Sequence, residues 1–165
     1  RLLIGFPQLF RDRIWSPIWI DVWPGVRDLI GSEATFGNSH VSRPIFFQTL
    51  GEDGVELWRS VWNDREVVIV TGAGSRLELE PDLFDNVNEV SYIYSLPKNA
   101  FEDLEQTMTK IEDADYLGKD KLFLIALGPT GTILAQRLAI LGEQALDIGH
   151  ISSSYGHVFK GGRFL

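Results

Sequence analysis

Two stretches of the chain are apolar without interruption. Val67-Val68-Ile69-Val70 is entered from Glu66 and closed by Thr71-Gly72, and Leu122-Phe123-Leu124-Ile125-Ala126-Leu127 is closed by Gly128-Pro129. A strand with one wet face alternates apolar and polar residues. Continuous runs therefore predict strands covered on both faces, as in a parallel sheet. Residues 90–94 and 145–148 are two shorter strand candidates.

Between the runs the period becomes that of a helix. Across 99–114, Phe101, Leu104, Met108 and Ile111 recur at spacings of three and four, and Asn99 with Glu102 has the form of a capping box. Residues 132–141 predict a more apolar helix stopped by Gly142 at the C′ position. A helix over 47–62 would bury Leu57, Trp58, Val61 and Trp62. Nearer the start, Leu2-Leu3-Ile4-Gly5 reads as a strand end, while Pro17 and Pro24 among Trp15, Trp19 and Trp23 are expected to break a regular helix over 14–23. The alternation gives the α/β class: a Rossmann-like three-layer sandwich with a mainly parallel sheet, read as a single domain over residues 1–165.

Composition narrows the chemistry. The 165 residues are 44% hydrophobic and include no Cys. A domain of this size removes roughly two-thirds of its unfolded surface from water and folds without disulfides or structural metal. The lack of Cys excludes thiol catalysis, Cys-ligated zinc and iron–sulfur chemistry, and a cytoplasmic location is the expectation. With 15 Lys and Arg against 23 Asp and Glu the net charge is −8, so the footprint of a nucleic-acid binder is missing and an anionic ligand needs a local basic site. No apolar stretch approaches the roughly 18 residues of a membrane span. The chain opens on Arg1 rather than Met, without a charged-then-apolar leader, and reads as an N-terminally incomplete part of a longer protein.

Three strand ends carry candidate chemistry. Thr71-Gly72-Ala73-Gly74-Ser75-Arg76 follows a buried strand; Gly72 and Gly74 would let backbone N–H groups approach phosphate, and Arg76 would add a bidentate contact. Leu77 stands where a dinucleotide fingerprint needs its third glycine, with Glu78, Glu80 and Pro81 behind it, which rejects a standard NAD site. The alternative is a tight surface turn. Leu127-Gly128-Pro129-Thr130-Gly131-Thr132 leads from strand to helix and has the mechanics of a phosphate cradle, or of simple helix capping by Thr130; it lacks the P-loop Lys. Ala145-Leu146-Asp147-Ile148-Gly149-His150 ends in an acid and an imidazole suited to a metal, ribose hydroxyls or acid–base work, or to a structural pairing. Arg43-Pro44 and Lys98-Asn99 place cations beside expected element ends, where they would hold a diphosphate or remain solvated. His40 and His157 read as exposed polar residues, and the Trp residues as core.

Taken in order, these segments resemble the GT-D type glycosyltransferases, a group once catalogued as a domain of unknown function in bacterial glycosylation loci. The residues carrying the resemblance are Ser42-Arg43-Pro44, Thr71 to Arg76 with Asp82-Leu83-Phe84, Leu96-Pro97-Lys98-Asn99-Ala100-Phe101, Ala126 to Ala135, and Leu146 to Ile151 with Tyr155; residues 1–41 match loosely. Gly131 stands where the family commonly has Ala, and Ser152 where an acidic residue commonly follows the His-Ile pair.

The resemblance implies metal-assisted transfer of a sugar from a nucleotide diphosphate donor, typically UDP-hexose, to a glycan or glycoprotein acceptor. It also implies an Asp-x-Glu motif holding Mn²⁺ or Mg²⁺ near the end of the first strand. Asp64-Arg65-Glu66 and Asp103-Leu104-Glu105 are not in that place, so the metal ligands are expected upstream of Arg1. On this reading Arg76, with Arg43 or Lys98, takes the diphosphate. Gly72, Gly74, Ser75, Asn99, Gly128, Pro129, Thr130 and Thr132 contact the donor, Asp147 takes a donor hydroxyl or metal-bound water, and His150 serves acid–base chemistry or acceptor positioning. A homo-oligomer or glycosylation-complex partner belongs to the same expectation. The competing class is a non-catalytic nucleotide-sugar-binding or partner-stabilising module; another Rossmann-type enzyme, such as a reductase, is disfavoured by the broken fingerprint.

Overall fold

The computed structural model describes residues 2–6, 13, 15–30, 35–75 and 80–163, apart from the Leu29 side chain. Contacts divide the chain into two compact units, Leu2–Val41 and Ser42–Leu165. In the first, β1 (Gly5–Phe6) pairs in parallel with β2 (Gly37–Asn38), and α1 (Trp15–Leu29) sets Trp19 against Phe6 with ring centroids 5.4 Å apart. The expected break over 14–23 does not occur among the described residues. Pro17 stands in the first turn, where a missing N–H has no helical partner to lose, and Pro24 withholds one hydrogen bond on an exposed part of α1.

In the second unit the helices α2 (Pro44–Leu50), α3 (Glu52–Trp62), α4 (Pro81–Phe84), α5 (Leu104–Asp113), α6 (Pro129–Ile140) and α7 (Ile151–Phe159) surround four strands. These are β3 (Glu66–Gly72), β4 (Glu89–Ser95), β5 (Leu122–Ala126) and β6 (Gln144–Asp147), all parallel, in the order β4-β3-β5-β6. The two uninterrupted runs are the inner strands, with Val67 opposite both Val90 and Leu122. Val68, Val70, Phe123 and Ile125 face Leu104, Ile111, Leu134 and Leu138 of α5 and α6. Val67, Ile69, Leu122 and Leu124 face Phe47, Trp62, Leu83 and Ile151 on the other side. The architecture is thus an α/β three-layer sandwich, and each fully buried Val, Leu, Ile or Phe contributes about 1.5–3 kcal/mol.

Local backbone geometry corrects several expectations. The helix over 47–62 is two helices, because Gly51 adopts φ 55, ψ −134, a conformation that strains any residue with a Cβ. The break sets the phase of α3 anew: Val55 and Trp62 are buried, and Leu57 is exposed rather than buried. The capping box does not form, since Asn99 is left-handed at φ 54 and its amide donates to Glu102 Oε1 at 3.3 Å. Residues 100–103 then form a tighter 3₁₀ turn, which buries Ala100 and leaves Phe101 exposed. At α6 the stop is as expected: Gly142 has φ 91, with Gly142 N–H bonded to Ala139 and Glu143 N–H to Leu138, a Schellman pattern. The capping alternative for Thr130 is not realised; Gly128 is the N-cap residue and Thr130 is buried. His40 and His157 are half-buried rather than exposed, and His157 Nδ1 lies 2.8 Å from the Gly162 carbonyl.

Trp62 joins α3 to α4. Its ring stacks on Trp58 at 5.5 Å and on Phe84 at 4.7 Å, and Nε1–H donates to the Leu83 carbonyl at 2.9 Å. Trp62→Phe keeps an aromatic in the stack but strands that buried carbonyl, with an expected cost of about 1–3 kcal/mol. Trp62→Ala also opens a cavity, with an expected cost of about 3–5 kcal/mol. Urea denaturation of both variants measures the order and the size of the two effects.

Candidate functional site

Parallel pairing sends the C-terminal ends of β3, β4, β5 and β6 to one edge of the sheet. From β3 the chain moves outward to β4, then returns to place β5 on the other side of β3. The reversal makes the edge between β3 and β5 the topological switch point, where open α/β sheets bind ligands. Gly72, Gly74 and Ser75 follow β3, Lys98 and Asn99 follow β4, Gly128, Pro129, Thr130 and Thr132 follow β5, and Asp147 and His150 end and follow β6. Arg76 lies outside the described residues.

The β6 end is the most highly organised. Asp147 Oδ2 accepts from Thr132 Oγ1 at 2.9 Å, and Oδ1 accepts from Gly149 N–H at 3.1 Å. Although one side of Asp147 is open to water, desolvation on the protein side outweighs these bonds and the neighbouring charges of Arg43 and His150, and holds its carboxyl above the ordinary 3.8. Desolvation first, and then the charge of Arg43, hold the His150 ring below 6.5 against the opposing pull of Asp147. The ring is therefore neutral at pH 7. Arg43 reaches this group as the N-cap residue of α2, with Pro44 at the helix start. Its segment is tied down from α7, where the buried Ser154 hydroxyl donates to the Ser42 carbonyl at 2.8 Å, and Gly149 leaves room for the Ser42 hydroxyl.

The other half of the edge is built more by backbone than by charge. Ala73 N–H donates to the Ser95 carbonyl at 2.8 Å and Ser75 N–H to the Gly72 carbonyl at 2.9 Å, so two amides of the glycine turn are already engaged. Gly74 takes φ 69, and a Cβ on Gly72 would lie 3.0 Å from the Leu96 carbonyl oxygen. Gly72 is thus required by the loop after β4, whatever binds above it. Lys98 and Asn99 are exposed on that loop. Three inter-strand spacings separate the β4 end from the β6 end, about 14 Å. The structure accordingly gathers Arg43, Thr132, Asp147 and His150 into one group and leaves Gly72, Gly74, Ser75, Lys98 and Asn99 in another. Gly131, Gly149, Ser42 and Ser154 complete the first group without having stood out as site residues in the sequence. A glycine directly before His150 and a serine in a buried apolar helix were the available signals.

Of the two internal Asp-x-Glu pairs, Asp64-Arg65-Glu66 lies away from this edge, while Asp103 lies beneath its β4 end, where, against desolvation, Ser95 and Leu96 lower its carboxyl. Glu66 begins β3 at the opposite end of the sheet and is paired with Lys121, and Glu105 is paired with Arg137 at 2.6 Å. Asp103 is buried, accepting from Thr107 at 3.4 Å and facing Lys110 at 3.5 Å. Among the described residues no group of three His, Cys, Asp or Glu side chains could hold a metal ion. The donor set present does not fit a divalent cation.

Linkage gives this site a pH signature. The raised Asp147 carboxyl favours the protonated folded state, so stability is lost as pH rises from 3.8 through its folded value. The lowered His150 ring favours the neutral folded state, so stability is lost as pH falls from 6.5 through its folded value. Asp147→Asn removes the disfavoured charge. It is expected to be more stable than the parent at pH 7, with the gap narrowing at pH 4, as measured by denaturant titration at both values.

Comparison with known proteins agrees with this architecture. Residues 13–162 match the family model of the glycosyltransferase GT-D fold. Glycosyltransferase GlyD of Streptococcus pneumoniae is 34% identical over 165 aligned residues, 93% of this chain and 20% of that protein. A probable glycosyl transferase Gly of Streptococcus gordonii is 34% identical over 124 residues, 73% of this chain and 18% of that protein. The chain thus spans about a fifth of the length of these curated relatives. A solved structure of a DUF1792 glycosyltransferase from Streptococcus sanguinis superposes with a TM-score of 0.82 at 27% identity, over 98% of this chain and 64% of that one. A second, described as domain of unknown function 1792 with a distinct glycosyltransferase fold, gives 0.78 at 28% identity, over 98% and 61%. With the family model spanning most of its length, the chain belongs to the GT-D fold family of glycosyltransferases.

Proposed function

We propose that this domain binds a nucleotide diphosphate sugar, UDP-hexose, along the C-terminal edge of the sheet and takes part in transferring the sugar to a glycan or glycoprotein acceptor. The observation that carries the reading is the group at the β6 end, where a carboxylate held by Thr132 and Gly149 lies within electrostatic reach of Arg43 and His150. Glycosyl transfer depends chiefly on stabilising the charge that grows on the departing diphosphate. Arg43 supplies a half-buried charge for that purpose, and Lys98 an exposed one from the β4 side. Asp147 accepts from a donor-sugar hydroxyl. His150, uncharged at pH 7, accepts a proton from, or orients, the acceptor hydroxyl. A divalent cation, which would add charge beside the diphosphate, belongs to the same proposal only with ligands other than the described residues.

Calorimetry with UDP-glucose, paired with UDP-release measurements in Mn²⁺, Mg²⁺ and chelator, tests the proposal. Arg43→Ala is expected to weaken binding by about 1.5–3 kcal/mol, the worth of a charged hydrogen bond. Unchanged affinity would remove Arg43 from the donor site. Binding without turnover, across several donors and acceptors, would identify a nucleotide-sugar-binding module instead of an enzyme.

A further inference from the structure

The first turn of α6 meets the end of β6 through one carboxylate. A Cβ on Gly131 would lie 3.0 Å from Asp147 Cγ and 3.1 Å from each of its oxygens, so the carboxylate occupies the space that a side chain at 131 would fill. Thr132 then donates to Oδ2 at 2.9 Å, and Gly149 N–H, in a turn with φ 50, donates to Oδ1 at 3.1 Å. Asp147 is held on three sides and open to water on the remaining one, within the fields of Arg43 and His150. A helix start attracts an anion, and here the anion already present is Asp147 itself. A phosphate at the same place would meet a carboxylate and find the Thr132 hydroxyl committed, whereas a neutral hydroxyl would find an acceptor.

We propose that Thr132 is a positioning residue that ties the Asp147 carboxylate onto the start of α6, so that this loop receives a neutral, hydroxyl-bearing part of the donor, its sugar, rather than phosphate. The inference rests on the reading of the edge as a nucleotide-sugar site and assigns its parts. The sugar belongs beside Asp147, and the diphosphate runs from Arg43 toward the β3–β4 half. The Gly149 turn, fixed by the same carboxylate, carries His150 to the sugar's side.

Two measurements separate this proposal from the reading beneath it. The first compares UDP with UDP-glucose binding. Thr132→Val, which keeps shape and loses the donor, is expected to weaken UDP-glucose on the order of ten-fold while leaving UDP unchanged. Thr132→Ser is expected to restore most of the loss. Equal weakening of UDP would show that the α6 start holds phosphate and would overturn the proposal. The second needs no ligand: a ¹³C NMR titration of the Asp147 carboxyl, whose midpoint is expected to rise in Thr132→Val and to return in Thr132→Ser. An unmoved midpoint would overturn the positioning role. A moved midpoint in a protein that binds neither ligand would keep the tie and defeat the nucleotide-sugar reading.

Discussion

The inner strands of this sheet see no water on either face, and most of the molecule follows from that. Val67 to Thr71 and Leu122 to Ile125 are buried without a break, so their side chains are spent on packing and none is free for chemistry. What such a sheet can offer a ligand is its ends. Parallel pairing gathers the four C-terminal ends on one edge, where short loops carry the polar residues that the strands cannot. The close approach of Gly72 to the loop after β4 belongs to the same economy: neighbouring loops on one edge must share little space.

Charge at that edge is organised against the chain's overall acidity. With a net charge of −8, an anionic donor is attracted only where cations are held in place. The backbone beside Arg43 is so held, by the buried Ser154 hydroxyl of α7 donating to the Ser42 carbonyl. The guanidinium's field lowers both Asp147 and His150; desolvation, the larger cause at each, overrides it at Asp147 and adds to it at His150.

Much of this was legible in the sequence, and the exceptions share a cause. Continuous apolar runs identify β3 and β5 because only doubly covered strands tolerate them, and the α6 stop follows from Gly142. The sequence also places Asp147 and His150 correctly at a strand end. Errors arise where one residue's backbone state resets a period: Gly51 splits a helix and exposes Leu57, and left-handed Asn99 with the 3₁₀ turn behind it exposes Phe101. The ties that finish the site are invisible for another reason. Ser154 and Ser42 are 112 residues apart, and Thr132 and Asp147 lie on different elements, so no local spacing relates them.

The register of the sheet has a consequence for biosynthesis. Thr71 of β3 pairs with Ala126 of β5, 55 residues later in the chain. On the ribosome, β3 emerges long before the strand that covers its second edge, and the intervening loop must close at an entropic cost before that pairing is rewarded. Until then Val67 to Val70 is a bare, uncharged segment of high β-propensity, the kind that pairs with other chains. Asp64, Arg65 and Glu66 immediately precede it. Charged flanks of this sort slow intermolecular pairing, and they protect the nascent chain during the interval in which its sheet has only one side.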